Sequence, residues 1–193
     1  MKHVGILAHS TEGAALCFLS FCQEGFRRLG RNEHPDVTLD YIAFGYSMPA
    51  WDAGDYGAIR ATLSLSVDRL ARAGADFFIC PDNTAHLALE EPGEDLALPG
   101  LHIAEVVAGQ AARDHRQRVG VLGTRYLMDG PLYPRVFAAH GIAAEVPAAG
   151  SGCSRRHPPD RLTPPPAPAG DAAAFGTAVT TGVTLADGRR AGL

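Results

Sequence analysis

Residues 75–86 read ADFFICPDNTAH, and the reading of that stretch decides the fold. Two phenylalanines, an isoleucine and a cysteine run together without polar alternation, as in a strand buried on both faces. The run ends at Pro81. Asp82, Asn83 and Thr84 follow, and Asn and Thr side chains accept hydrogen bonds from the free amides of a helix start. The same strand-then-helix pattern repeats on either side. HVGILA (3–8) is a second buried run, and the stretch from Glu12 to Leu29 is helical with Gly30 as its stop. VTLDYIAF (37–44) reads as a strand, and residues 55–73 as a helix with Ile59, Leu63, Val67 and Leu70 on one stripe. Beyond a short helix opening near Thr84, LHIA (101–104) reads as a strand and EVVAGQAARD as a helix. RVGVLGT (118–124), a helix near 131–140 and a last strand in IAAEV complete the series. Alternation of this kind predicts an α/β fold with a parallel sheet covered on both faces.

Two of the strands look alike. HVGILAHST and RVGVLGTRY share a V-G-[IV]-L core followed by a hydroxyl residue. This suggests two similar halves facing each other, with a ligand between them at the carboxyl ends of the strands. By that reading residues 1–113 form a first α/β half and 114–150 begin a second. Residues 151–193, with a PPP run and many alanines and glycines, read as an atypical, disordered or loosely attached tail.

Composition narrows the function. With 193 residues, 46% of them hydrophobic and 20% charged, the chain can bury a sizeable core in one large domain or two small ones. Net charge is −4 with both signs interspersed, so the basic stripe that nucleic acid requires is missing. The opening MKHVGILAHS is too short an apolar run for a signal peptide, and no later run could span a bilayer. The expectation is a cytoplasmic protein without membrane or nucleic-acid partners. Cysteines at 17, 22, 80 and 153 form no CxxC pair and have no histidine at zinc-finger spacing, so neither a metal site nor a disulfide framework is expected. Cys17 and Cys22 read as small core residues of the first helix.

Short donors gather at three strand ends: Ser10 and Thr11 after the first, Asn83 and Thr84 after FFIC, and Thr124 after VGVLG. Free amides at a helix start, with the positive end of its dipole, bind a carboxylate. Neither VG strand carries a glycine-rich phosphate cradle, so the expected ligand is a small carboxylic or amino acid rather than a nucleotide. His86, one turn past Asn83, either faces the cleft or packs beneath it. His102 reads as a core histidine within a strand. Tyr46 and Ser47, in FGYSMPAW, read either as a lining for the ligand's far side or as a Pro-terminated loop.

From residue 1 to about 148 the chain resembles the PLP-independent aspartate/glutamate racemase family. The resemblance rests on VGILAHSTEGAALCF, the CPDNTAH loop, LHIAE and VGVLGTRYLMDGPLYP, with NTAH after a buried strand the most specific piece. It implies two pseudo-symmetric, Rossmann-like α/β halves with the active site in the cleft. It also implies a homodimer, and cofactor-independent removal and return of an amino acid's α-proton by two residues on opposite faces of the substrate, usually both cysteines. Two departures stand out. Where the family's paired-cysteine members carry Cys directly before Asn-Thr, this chain has Asp82, with Cys80 two residues earlier. Asp82 or Cys80 is therefore the base. A carboxylate is weak for this task unless burial raises its pKa. The second departure is the lack of any Cys-Thr-Glu motif after residue 125, where Cys153 is the only cysteine. The second half thus reads as incomplete, as in a truncated or frame-shifted member with impaired activity. The competing expectations are a non-catalytic member that binds a small carboxylic acid, or a one-base relative such as a decarboxylase or isomerase.

Overall fold

The computed structural model describes residues 1–146, so the expectations for the tail and Cys153 lie outside the described residues. Strand β1 (Val4–Ala8) is buried at all five positions, which requires cover on both of its faces. Helix α1 (Thr11–Leu29) ends at Gly30, whose φ of 125° suits glycine. Strand β2 (Val37–Tyr41) pairs parallel to one side of β1, and β3 (Phe77–Ile79) to the other. With β4 (Gly100–Leu101) the order is β2-β1-β3-β4. The chain thus leaves β1 in one direction and returns to its opposite side. That reversal opens a crevice at the carboxyl ends of β1 and β3, where open parallel sheets bind ligands. A second parallel sheet joins β5 (Arg118–Gly120) to β6 (Ala143–Glu145).

The stripe expected on the second long helix is present: in α3 (Tyr56–Arg72) Ile59, Leu63, Val67 and Leu70 are all buried, packed with Leu7, Phe78 and Cys80. A second core joins α5 (Ile103–Arg113) to Val119 and Val121, to α6 (Arg125–Asp129) and to α7 (Leu132–Ala139). By packing, α5 therefore goes with the second sheet.

Three readings of the sequence need correction. LHIA is not a strand throughout: pairing ends at Leu101, because Ile103 and Ala104 belong to the helical stripe completed by Val107, Ala108 and Ala111. His102 accordingly precedes a helix instead of lying within a strand. The second strand stops at Tyr41, and the segment after it folds into a 3-10 turn (Phe44–Tyr46) and a short helix, α2 (Met48–Ala53). Pro49 starts that helix rather than ending a loop, since the first turn needs no amide from it. Cys17 and Cys22 are half-buried rather than core. Of α1 only Ala14 and Gly25 are fully buried, while Leu16, Leu19, Phe26 and Leu29 stand exposed. No helix among the described residues is long and apolar enough to cross a membrane.

The two VG strands differ in how tightly they are covered. A Cβ at Gly5 would stand 3.0 Å from Leu70 Cδ1 and 3.3 Å from the Ala75 Cβ, whereas at Gly120 it would meet nothing among the described residues. Gly5→Ala should therefore destabilise the fold by about 1–3 kcal/mol through overpacking, and Gly120→Ala by less than about 1 kcal/mol. Midpoints of denaturant unfolding at constant slope check the contrast.

Candidate active site

His9 follows the last residue of β1, and its side chain is 6% exposed. Its Nδ1 lies 2.9 Å from Asp82 Oδ2, on the loop that leaves β3. On the other side of the ring, Trp51 Nε1 donates to His9 Nε2 at 3.3 Å. The indole N–H can only donate, so Nε2 must accept, and the tautomer that satisfies both contacts carries its hydrogen on Nδ1. His9 then donates to Asp82.

The other carboxylate oxygen, Asp82 Oδ1, accepts from the Thr84 amide at 2.9 Å and from the Ala85 amide at 3.3 Å. Asp82, not Thr84, is thus the side chain that caps α4 (Ala85–Leu89), since Thr84 makes no side-chain cap bond. Burial pushes the Asp82 carboxyl upward, but hydrogen bonds from His9 and from the amides of Ala85 and Thr84 outweigh it and hold the group below the usual range. The condition set for a strong carboxylate base, a pKa raised by burial, is thus not met. The physical reason is the number of donors turned toward an ionised carboxylate. About 17% of the side chain stays exposed.

Cys80 takes a different environment. It is 2% exposed within the first core, and burial followed by the Asp82 charge pushes its thiol well above the ordinary value. A thiol so placed stays protonated.

The remaining expected residues make different contacts. Ser10 precedes α1, and a Cβ on Gly13 would fall 2.6 Å from Ser10 Oγ and 2.9 Å from the Pro81 carbonyl. The first turn of α1 therefore touches the PDNT loop only because residue 13 is glycine. Thr11 is turned outward, its Oγ1 3.0 Å from the Tyr41 hydroxyl. Thr84 and Thr124 meet directly, Oγ1 to Oγ1 at 2.8 Å, which joins the two halves at the expected strand ends. Thr124 also caps α6 by accepting from the Leu127 amide. Asn83 is buried, and Tyr133 of α7 donates to its Oδ1 at 2.5 Å. Tyr46 is 79% exposed, and Ser47 is buried, its hydroxyl donating to the Phe44 carbonyl.

His86 packs beneath the loop rather than facing the crevice. Its Nδ1 donates to the Asp82 carbonyl at 2.9 Å, and its Nε2 accepts from the Ile103 amide at 3.3 Å. His102 stacks edge-on against it at 4.6 Å, with its Nε2 3.0 Å from Glu90 Oε1, and Arg135 pairs with the same carboxylate. Among the described residues no cluster of His, Cys, Asp and Glu is arranged to hold a metal ion.

Reasoning from sequence missed His9, Trp51 and Tyr133. His9 did carry a signal: it is a polar residue closing a fully apolar strand, just before Ser10. Trp51 and Tyr133 carried none, because the partners lie 42 residues from Trp51 and 50 residues from Tyr133.

The family model for Asp/Glu/Hydantoin racemase matches residues 18–167. The match continues past residue 148, into the segment read from sequence as an atypical tail. A curated relative, the broad specificity amino-acid racemase RacX of Bacillus subtilis (strain 168), is 30% identical over 146 residues, covering 72% of this chain and 61% of that protein. The solved structure of a Yersinia pestis protein, described as a candidate Asp/Glu racemase, superposes with a TM-score of 0.70 at 28% identity. That superposition spans 76% of this chain and 65% of the other. An aspartate racemase homologue from Pyrococcus horikoshii OT3 shares the fold at a TM-score of 0.65 and 22% identity, over 76% of this chain and 65% of its own. The chain spans less than two thirds of the length of each of these relatives.

The environment of His86 predicts a pH effect. Burial lowers its pKa from 6.5 to about 4, and a proton on Nε2 would face the Ile103 amide. Between those values the unfolded chain binds more protons than the folded one, so stability rises with pH from about 4 to 6.5. The contribution is roughly 3 kcal/mol at one unit per 1.36 kcal/mol. Denaturant unfolding measured across that range should show the rise, and His86→Gln should flatten it.

Proposed function

The chain belongs to the Asp/Glu/hydantoin racemase family, and from that premise we propose that it exchanges the α-proton of an acidic amino acid, of the aspartate/glutamate type, without a cofactor. Asp82 is the proton acceptor. The observation that carries this reading is its carboxylate, ionised at neutral pH, partly open and pinned at the crevice between β1 and β3. Thr84 and Thr124, joined at the same spot, are the hydroxyls that hold the substrate's carboxylate, with Ser10 and Asn83 beside them. A base must stand within hydrogen-bond reach of the proton it takes, and aimed donors must stabilise the charge that develops on the substrate.

The low basicity of Asp82 sets the character of the reaction. A carboxylate already accepting from His9 and two amides gains little by taking a proton, so abstraction is slow. Asp82 serves one face of the substrate, and proton exchange on that face is the expected outcome. The same saturation of Asp82 favours a second reading, a member that binds a small carboxylic acid without turning it over.

Proton NMR in D₂O separates the two. With L- and D-aspartate and glutamate, the wild-type chain should wash out the α-proton of at least one enantiomer. Asp82→Asn should slow the exchange by about 10²-fold or more. Saturable binding of these acids with no exchange would establish the binding reading instead.

A further inference from the structure

The crevice side of the first half contains a linear chain of side chains, Trp51 to His9 to Asp82, drawn from three elements. Trp51 comes from α2, His9 from the end of β1 and Asp82 from the loop after β3. The indole donates to Nε2 at 3.3 Å, and Nδ1 meets Oδ2 at 2.9 Å. The His9 ring is clamped laterally as well. Phe44 stands edge-on at 4.9 Å and Trp51 is tilted at 5.7 Å, while Tyr126 of the second half rests on Trp51 at 5.6 Å. Such a ring has no freedom to turn. If His9 carried a hydrogen on Nε2, two N–H groups would point at each other across 3.3 Å, so the indole keeps Nε2 bare, while the Asp82 carboxylate, which only accepts, holds the ring's hydrogen on Nδ1.

We propose that His9, locked by Trp51, is a positioning residue for Asp82: it aims the carboxylate into the crevice and sets the pH at which that carboxylate works. This inference rests on the reading of Asp82 as the proton acceptor, but its physical content can be measured without substrate. Oδ1 is taken by the amides of Thr84 and Ala85, and Oδ2 by His9. The carboxylate is thereby fixed at both oxygens, and only the remaining lone-pair direction of Oδ2 is left for a substrate. Other titratable groups nearby do not perform this task. Cys80, with Cys17 of α1 behind it, is a buried thiol on the core side of the loop, and burial pushes Cys17 up to about 11. His86 of α4 reaches the Asp82 carbonyl, not its carboxylate. From α2 comes the neutral indole, and among the titratable side chains described His9 is the one that touches the carboxylate.

The sign of the effect follows from the donor count. Removing a hydrogen bond to the ionised form disfavours that form, so loss of His9 moves the titration of Asp82 upward. Asparagine places an N–H₂ where Nδ1 stands and keeps a donor toward Oδ2; leucine does not.

The test has two arms. In the wild-type chain, ¹⁵N NMR of His9 should show Nδ1 protonated and Nε2 bare. In parallel, ¹³C NMR follows the Asp82 carboxyl through a pH titration in wild type, His9→Leu and His9→Asn. The midpoint should move up in His9→Leu and return toward wild type in His9→Asn, and the acid limb of any exchange–pH profile should move with it. A His9 ring protonated at Nε2 in the wild type, or an Asp82 midpoint that ignores both substitutions in folded protein, overturns the proposal. Because neither NMR reading needs turnover, a chain that shows the shift but no α-proton exchange rejects the proposed reaction and leaves the role of His9 standing. Unaltered exchange with an unmoved midpoint does the reverse.

Discussion

The structure around the crevice depends on one constraint: a largely buried carboxylate must be surrounded by donors. Removing an ionised group from water is costly unless hydrogen bonds replace its hydration. Asp82 meets that demand with His9 from β1 and two amides from α4. Helix α4 is only five residues long, far below what stands alone in water. It persists because Asp82 caps its start, Ala85 and Ala88 are buried against the first core, and His86 fastens its first turn to the start of α5. The same carboxylate ties the end of β1 to the end of β3.

The two halves join on this same short segment. Tyr133 reaches Asn83, Thr124 reaches Thr84, Arg135 reaches Glu90, and Leu87 packs against the second core. The turn that would hold a substrate's carboxyl group is also the platform on which α6 and α7 sit. Site geometry and the seating of the second half are consequently not independent. A change at Tyr133, far from Asp82 in sequence, alters how Asn83 presents its amide.

What the sequence made legible follows the range of the forces involved. Period and burial are local, so β1, β3 and the stripe of α3 could be read directly, as could the helix at 131–140 that appears as α7. The stretch LHIA failed because a run of four residues looks alike in either period, and Ile103 and Ala104 answered to a core built by residues as distant as Ile142. Pro49 misled because proline ends helices in general but is accommodated in the first turn. Cys17 and Cys22 misled because a helix of apolar composition was assumed to be covered, whereas Ala14 and Gly25 alone make its closest approach. At the site, the donors at strand ends were legible as types, and Thr84 and Thr124 do meet. The partner of Asp82 was not, because a histidine 73 residues away leaves no mark on local pattern.

The carboxyl at position 82, where the family resemblance leads one to expect a thiol, has a consequence that depends on chemistry more than on geometry. Donors gathered around a cysteine lower its pKa toward neutrality and turn an idle thiol into a usable thiolate. Donors gathered around an aspartate act in the same direction on a group that is already ionised, and each one makes it a poorer base. A scaffold of amides, an imidazole and hydroxyls that activates one residue type therefore quiets the other. For Asp82 to move an α-proton at all, the stabilisation must come from the substrate side, through donors that take up charge on its carboxylate as the proton leaves. In the proposed reading that task falls to the hydroxyl pair of Thr84 and Thr124, one from each half, whose oxygens lie 2.8 Å apart. The weight of any catalysis thus shifts from the base to the seam between the halves.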